Sequence, residues 1–107
     1  MKTNELTGPA LDWAVAQCEG FDYFNHQNLA HITTSAHSWQ PSEKWSQGGP
    51  IIEREKIATA WHITRWVAWR GVIEHPGPTP LIAAMRAYVA SKMGDEVDVP
   101  GELCSMS

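Results

Sequence analysis

The sequence has few of the residues that secreted and metal-dependent domains rely on. Its two cysteines, Cys18 and Cys104, lie far apart and fit no metal-binding or redox spacing. Reduced thiols of this kind are typical of an intracellular protein. The N-terminus lacks the basic and then apolar pattern of a signal peptide, and no apolar run approaches the roughly 20 residues of a membrane span. We therefore expect a cytoplasmic protein with no membrane partner.

Motifs for catalysis and metal binding are missing as well. No serine lies in a Gly-x-Ser-x-Gly elbow. Glu53 and Glu55 are two positions apart, so on a helix they would point in different directions. His26, His31 and His37 are spaced more widely than the usual pairs of zinc ligands. We therefore expect a protein that is not an enzyme, with no catalytic residues, no metal ion and no cofactor.

Charged residues make up only 19% of the chain, and the two signs are unevenly distributed. The formal net charge is −3 in residues 1–39, +3 in residues 40–92 and −4 in residues 93–107. A protein that binds duplex nucleic acid would have a denser basic stripe. The distribution argues against duplex nucleic acid as a partner and leaves a small anion as a candidate ligand of the middle segment.

Two helices are predicted near the ends of the chain. Residues 7–20 carry apolar side chains at helical spacing, and Gly20 suits the position just after a helix end. Their acidic residues Asp12 and Glu19 are most simply interpreted as solvated. Residues 79–94 carry the strongest helical signal, with Thr79 as the N-cap, a broad apolar face, and Gly94 at the end.

A further helix is predicted between residues 42 and 55, where Pro50 leaves two alternatives. A proline inside a helix removes a hydrogen bond, so the helix could bend at Gly48 and Gly49. It could also begin there, with Pro50 in its first turn. The second alternative would leave free backbone amides beside a flexible glycine pair.

Residues 57–72 alternate with a period of two and are rich in β-branched and aromatic side chains, which predicts strands. No Asn-Gly or Asp-Gly pair marks a tight hairpin near Ile63. Residues 75–80 contain three prolines and predict a turn-rich linker. Residues 21–41 predict a long loop with one short strand near residues 29–33. Residues 95–107 predict an acidic, mobile tail, with Val97, Val99 or Leu103 as possible anchors.

Together these elements predict an α+β fold. A single small domain of residues 1–94 would pack helices on a small antiparallel sheet, in the order helix, loop, helix, strands, helix. In a chain of 107 residues the core is modest, so a ligand would bind on a face or between subunits.

The central stretch from Trp39 to Arg70 is the best candidate for function, because it holds five of the six tryptophans and three of the four arginines. We interpret Trp45 and one of Trp61 or Trp66 as core residues. A regular strand places Trp66 and Trp69 on opposite faces of the sheet, so at least one of them would be accessible.

Accessible aromatics beside arginines suit a flat anionic ligand, through stacking and bidentate hydrogen bonds. The predicted ligand-binding residues are Arg54, Arg65, Arg70, Trp66, Trp69, Gly48 and Gly49, the glycines through their amides. In the competing structural interpretation Trp69 lies in the core, and the glycines form a plain bend. Arg54 and Arg65 are then solvated partners of Glu53 and Glu55. Tryptophan and arginine also mark protein interfaces, so a protein partner remains an alternative.

Three segments also suggest a family when they are taken together. The first joins Glu-Leu-Thr-Gly at 5–8, Ala-Leu-Asp-Trp-Ala-Val-Ala at 10–16 and Cys-Glu-Gly at 18–20. The second runs from Pro41 and Ser42 through Trp45 to Gln-Gly-Gly-Pro-Ile-Ile-Glu-Arg-Glu at 47–55, and the third is residues 77–92. They resemble the NinX-like family of small tailed-phage and prophage proteins of unknown function, and more distantly the order of elements is similar to phage α/β sandwich domains. The resemblance covers roughly two thirds of the chain and leaves residues 22–40 and 57–75 unmatched.

The resemblance implies a phage accessory protein in the cytoplasm of a bacterial host, and it carries no catalytic residues. We expect a binding protein that acts on a host process such as defence, by sequestering a small anionic, nucleotide-like ligand between subunits. The alternative is a protein inhibitor or adaptor that acts directly on a host protein. The aromatic surface is large for one small domain, so we expect a homodimer or higher homo-oligomer with the strand region near the contact.

Overall fold

Residues 1–20, 22–23 and 39–104 are described by the computed structural model. The predicted loop and its short strand near residues 29–33 lie outside the described residues. The described part contains a short 3-10 helix, Thr3–Glu5, followed by α1 (Gly8–Glu19), α2 (Trp45–Glu55), β1 (Ala58–His62), β2 (Arg65–Arg70), β3 (Ile73–Gly77), α3 (Pro80–Met93) and a last short helix α4 (Gly101–Cys104). The strands form one antiparallel sheet in the order β1-β2-β3. The predicted α+β class is confirmed.

Helix α3 lies at the centre of the domain, between the sheet on one side and α1 and α2 on the other. It begins as predicted, because the Thr79 hydroxyl accepts the Ile82 amide at 3.0 Å, and it ends before Gly94. Four alanines keep it narrow enough for close packing, and Met85, Tyr88 and Val89 fill the space around them. Contact on both sides explains why α3 is buried over more than one face.

The register of the strands defines two faces of the sheet. Trp66 pairs with Trp61 on one side and with Gly77 on the other, and a Cβ on Gly77 would lie 2.6 Å from the Ala83 amide of α3. These residues therefore face α3. Since side chains alternate along a strand, Trp69 lies on the opposite face. We call the face that carries Trp69 the open face, because the helices whose packing is described lie against the other one.

A tight turn joins β1 to β2 without the usual hairpin residues. Ile63 has a φ of 60°, and the Thr64 amide donates to the His62 carbonyl at 2.6 Å. A β-branched residue rarely adopts a positive φ, so this turn stores strain at the hairpin tip. The missing Asn-Gly signal therefore reflects an unfavourable residue in the turn, and the hairpin still forms.

The predicted linker over residues 75–80 is wrong in its first half, because residues 73–77 form the strand β3. Prolines suggested a turn, but β3 is an edge strand. Pro76 pairs with Val67 of β2, and a proline is tolerated on an edge where its missing amide faces outward. Its carbonyl accepts a hydrogen bond from the Arg86 guanidinium of α3 at 3.0 Å, which holds the strand to the helix.

Helix α2 begins at Trp45 and continues through Pro50, so the second of the two alternatives, a start at the glycine pair, is wrong. Its first turn is exposed, and Trp45 is 56% accessible to solvent. The interpretation of Trp45 as a core residue is therefore wrong as well. Ile51 supplies the buried contact of this helix instead, whereas Trp66 packs against the core as one of the two candidates for that role.

The glycine pair of α2 gives a testable contrast. A Cβ on Gly48 would lie 2.5 Å from Leu81 Cδ1 and 2.5 Å from the Pro41 carbonyl oxygen, whereas one on Gly49 meets only Trp45 at 3.9 Å. We expect Gly48→Ala to lower the free energy of unfolding by about 1–3 kcal/mol through overpacking. Gly49→Ala should change it by less than about 0.5 kcal/mol, since the gain in helix propensity is opposed by the following Pro50 ring. Urea denaturation measures both, and equal midpoints would contradict the close approach of α2 and α3.

Asp12 of α1 is buried, contrary to the prediction that it is solvated. Its side chain is 3% exposed, and its Oδ1 accepts the Ser42 amide at 3.0 Å. The Trp39 indole donates to the Asp12 carbonyl at 3.0 Å, so the chain entering α2 is fastened to α1 at two points. Burial raises the pKa of the Asp12 carboxyl to about 6.

The segment after α3 contacts the domain at several points. The Thr3 amide donates to the Asp95 carbonyl at 2.8 Å, and the Val97 amide donates to the Met1 carbonyl at 2.9 Å. Val97, Val99 and Leu103, the three possible anchors named from the sequence, are all buried in the core cluster. Residues 95–104 therefore close one end of the core together with the N-terminal segment.

Candidate binding surface

Arg54, a predicted ligand-binding residue, is held by carboxylates. Its guanidinium donates to both oxygens of Glu19, at 3.0 and 2.6 Å, and to Glu55 at 2.9 Å. The buried Tyr88 hydroxyl donates to the same Glu19 at 2.5 Å. The hydrogen bonds from Arg54 lower the pKa of the Glu19 carboxyl, while burial and the bond to Glu19 raise the pKa of Tyr88. This cluster ties α1, α2 and α3 together.

Arg70, at the end of β2, is held in the same way. Its Nε and Nη2 both donate to Glu55, at 3.0 and 2.8 Å, and this fork joins the sheet to α2. Hydrogen bonds from Arg54 and Arg70 lower the pKa of the Glu55 carboxyl. An anion at either arginine would have to compete with a carboxylate that is already in place. The bond from Arg54 to Glu55 agrees with the competing interpretation, whereas the pairs Arg54–Glu19 and Arg70–Glu55 join distant positions that spacing along the sequence does not reveal.

The amides of the glycine pair lie inside helix α2. The Gly48 amide donates to the Lys44 carbonyl at 2.9 Å, and Gly49 follows it within the same helix. An interior amide of a helix is bonded to the carbonyl four residues earlier. The structure therefore places Gly48 and Gly49 at a helix-packing contact, with their backbone donors in use.

The two tryptophans of β2 have different surroundings. Trp66 faces α3, is partly buried against the core, and makes an edge-to-face contact with Trp61 at 5.6 Å between ring centroids. Trp69 lies on the open face, half-buried, and its indole donates to Glu74 of β3 at 3.0 Å. Since this bond fixes the orientation of the indole, Trp69 presents a positioned aromatic surface that a planar ligand could stack on.

Arg65 differs from Arg54 and Arg70, because no carboxylate among the described residues forms an ion pair with it. It lies at the start of β2 on the same face as Trp69, is exposed, and pairs in register with the exposed His62. Between these two side chains and Trp69 on the same face lie Ala60, which is exposed, and its partner Val67, which is buried. Ala58, also exposed, pairs with Trp69. The open face therefore carries the Trp69 indole and the Arg65 guanidinium, with small or apolar side chains between them.

The grouping of Ala58, Ala60 and His62 on the open face was not predicted. The signal that could have revealed it is the alternation of β1, in which Ala58, Ala60 and His62 share one face and Thr59 and Trp61 the other. The site brings together Arg65 and Trp69 of the predicted set. It does not include Arg54, Arg70, Gly48, Gly49 or Trp66.

Two cavities lined by described residues are small. One of about 250 Å³ is lined by Lys2, Asn4, His75, Asp95 and Glu96. Another of about 290 Å³ lies between the start of α2 and the start of α3. Pockets for small molecules usually measure about 300–1,000 Å³. A ligand of nucleotide size is therefore better accommodated on a surface than in either cavity.

Within the described ranges, no three His, Cys, Asp or Glu side chains are placed to hold a metal ion. Among the helices described above, none combines the length and the apolarity needed to cross a membrane.

Comparison with known proteins agrees with the resemblance seen in the sequence. The family described as Bacteriophage P22, NinX matches residues 2–92, a range that runs from the N-terminal 3-10 helix to the end of α3 and contains the whole sheet. A search of curated proteins finds no match. Because the family match spans most of the folded domain, the chain belongs to the phage P22 NinX family.

Proposed function

We propose that this phage protein acts by binding, without catalysis, and that the open face of the sheet binds a flat anionic ligand of the nucleotide class. The observation that carries the proposal is the placement of Trp69, Arg65 and His62 on one face of the sheet, around Val67 and the exposed alanines of β1. Host defence is the process that such sequestration would oppose, in the cytoplasm of the infected cell. Family membership supports the phage setting, and the geometry supports the ligand class.

The chemistry of the face matches the base and the phosphate of a nucleotide. Glu74 accepts the Trp69 indole with one oxygen, and its other oxygen could accept an amino group at the edge of a base. The Trp69 ring offers stacking worth about 1–3 kcal/mol per base. Arg65 offers the planar fork that bonds phosphate oxygens in pairs. Along β2, Arg65 lies four residues from Trp69, or about 13 Å, which suits a ligand with its ring and its charge at opposite ends.

A ligand series tests the proposal most directly. Thermal shift and calorimetry would compare adenosine monophosphate with adenosine, which lacks the phosphate, and with ribose 5-phosphate, which lacks the ring. At a concentration 100 times its Kd, a ligand stabilises the folded state by about 2.7 kcal/mol. We expect the nucleotide to raise the melting temperature and each fragment to do so less. The proposal is contradicted if a wider panel of mono-, di- and cyclic nucleotides leaves the melting temperature unchanged.

Paired variants separate binding from folding. Trp69→Leu should weaken nucleotide binding about 5- to 150-fold, the equivalent of losing one stacked base, while the melting temperature changes little. Arg65→Lys should also weaken binding: lysine keeps the positive charge but lacks the planar guanidinium that bonds two phosphate oxygens at once. Arg70→Lys is the matched control: it disturbs the fork to Glu55, so it should lower stability and leave affinity nearly unchanged. Equal losses of affinity in the two lysine variants would favour the predicted site at Arg54 and Arg70.

A protein partner is the second candidate, because large apolar side chains are exposed elsewhere. Ile63 is 79% exposed, Val72 96% and Trp45 56%. In this alternative the protein is an inhibitor or adaptor that acts on a host protein. It would bind a defined host protein with no effect of nucleotides, and Trp45→Ser would abolish that complex.

A further inference from the structure

Among the described strands only β2 pairs with β1, and the other edge of β1, here called its free edge, lacks the features that keep edge strands from pairing. All five of its residues are exposed, and they include no lysine, no acidic residue and no proline. Soluble proteins normally protect such an edge with charge, proline or a covering segment, because its unpaired amides and carbonyls invite another strand. Trp61 on this strand is 57% exposed, so the edge also carries a large apolar side chain.

The other edge of the same sheet is protected. Strand β3 contains Glu74 and Pro76, and the N-terminal 3-10 helix packs beside it. The two edges of the sheet therefore differ in their protection against pairing with another strand. This contrast indicates that β1 is left open for a partner strand.

The backbone of β1 is complementary to a second copy of itself. A two-residue loop joins β1 to β2, so the flanking pair His62 and Arg65 is hydrogen bonded, and Ala60 and Ala58 also direct their backbone groups toward β2. Thr59 and Trp61 then direct theirs toward the free edge. The β1 strands of two copies can lie side by side and antiparallel, with a two-fold axis between the two Ala60 residues. In that register Thr59 of each copy pairs with Trp61 of the other.

We infer that two copies of this chain pair edge to edge along β1 and form one six-stranded antiparallel sheet. In this register all five residues of the strand are paired, and the outward amides and carbonyls bond one another in two pairs. No like charges meet, since His62 lies opposite an alanine. The contact also covers Trp61, whose exposure in one copy is otherwise unexplained.

The pairing brings a residue of the second copy into the binding surface, a step that rests on the proposed function. Ala58 pairs with Trp69 within one copy, and across the edge it lies opposite the partner's His62. Strands are about 4.8 Å apart, so the partner's His62 lies about 10 Å from Trp69 and the partner's Arg65 about 14 Å. One row of side chains across the paired strands, on the open face, therefore contains in order Glu74, Trp69, Ala58, the partner's His62 and the partner's Arg65. Each site takes its ring from one copy and its nearest imidazole from the other.

The mass of the protein in solution tests the pairing without any ligand. Light scattering at micromolar concentration should give twice 11.9 kDa. Thr59→Pro, which removes an outward amide, should give a monomer with an unchanged far-ultraviolet spectrum, and Thr59→Ala, which keeps the amide, should stay a dimer. Thr59→Lys is a second variant, since lysine on an edge opposes pairing. A wild-type mass of 11.9 kDa, or a dimer that survives in folded Thr59→Pro and Thr59→Lys, overturns the inference.

Mixing subunits tests the shared site. Trp69→Leu and His62→Ala should each weaken adenosine monophosphate binding. A refolded equal mixture should recover wild-type affinity at about one quarter of the sites, because half of the dimers are mixed and each of these has one intact site. No recovery on mixing means that His62 acts within its own chain and overturns the shared site.

The outcomes also separate this inference from the proposed function. A dimer that loses its pairing in Thr59→Pro but binds no nucleotide supports the β1 interface and contradicts the nucleotide proposal. A monomer that binds the nucleotide through Trp69 supports the nucleotide proposal and contradicts the β1 interface.

Discussion

Met85→Asp should remove the cooperative unfolding transition or lower the free energy of unfolding by more than about 4 kcal/mol. Met85 is fully buried in α3, where the helix packs against its neighbours on two sides. Truncation of a buried methionine alone costs about 2–5 kcal/mol, and a carboxylate placed there has no partner or must be protonated. Chemical denaturation followed by far-ultraviolet circular dichroism measures the loss.

The same substitution at the end of the helix is the control. Met93 is the last residue of α3 and is 38% exposed, so Met93→Asp should cost less than about 1 kcal/mol, mainly through the unfavourable charge at a helix C-terminus. Similar midpoints for the two variants would show that α3 is not the centre of the core.

Asp12→Asn should stabilise the protein at neutral pH and remove much of its pH dependence. Burial raises the pKa of Asp12 from 3.8 to about 6, which corresponds to about 3 kcal/mol between the two protonation states. For a carboxyl whose pKa is raised in the folded state, the stability is fully present below pH 3.8 and is lost as the pH rises through about 6. Asparagine keeps an acceptor for the Ser42 amide and carries no charge.

The measurement is the difference in free energy of unfolding between Asp12→Asn and the wild type, from pH 5 to pH 7.5. The difference should grow with pH, up to about 3 kcal/mol. His75, whose pKa is lowered by burial, contributes with the opposite sign, since its contribution is lost as the pH falls below 6.5. It is present in both proteins and cancels in the difference. A difference that shrinks as the pH rises would contradict the burial of the Asp12 carboxylate.

The sequence predicted elements whose signals are local. Helix α3 has its N-cap at Thr79, its apolar periodicity and its terminal glycine within one stretch, and each of these acts on neighbouring backbone. The opposite orientation of Trp66 and Trp69 follows from strand geometry in the same way. Such features need no knowledge of distant parts of the chain.

Elements defined by distant partners were missed. Strand β3 contains proline and glycine, which favour turns, and only its pairing with β2 makes it a strand. Asp12 looks solvated until the chain near Ser42 folds over it. Trp45 looks like a core residue on hydrophobicity, but its place in the exposed first turn of α2 decides its surroundings.

Of the residues predicted to bind a ligand, only Arg65 and Trp69 lie on the open face. Arg65 and Trp69 follow from alternation along one strand, so the sequence could place them together. Arg54 meets Glu19 from 35 positions away, and Arg70 meets Glu55 from 15 positions away, which no local pattern reveals. Of the three arginines predicted to bind a ligand, Arg54 and Arg70 are therefore bonded to carboxylates, and Arg65 is exposed.

Nuclear magnetic resonance of the tryptophan indole groups during titration with adenosine monophosphate tests binding on the open face most directly. Each of the six tryptophans gives its own indole resonance, and the signal missing from Trp69→Phe identifies the one on this face. We predict that the Trp69 indole signal shifts with nucleotide concentration, because a stacked base changes its surroundings and its bond to Glu74. The signal of Trp45, on α2, should stay in place. A saturating nucleotide that leaves the Trp69 signal unmoved, or that moves Trp45 instead, would contradict the account.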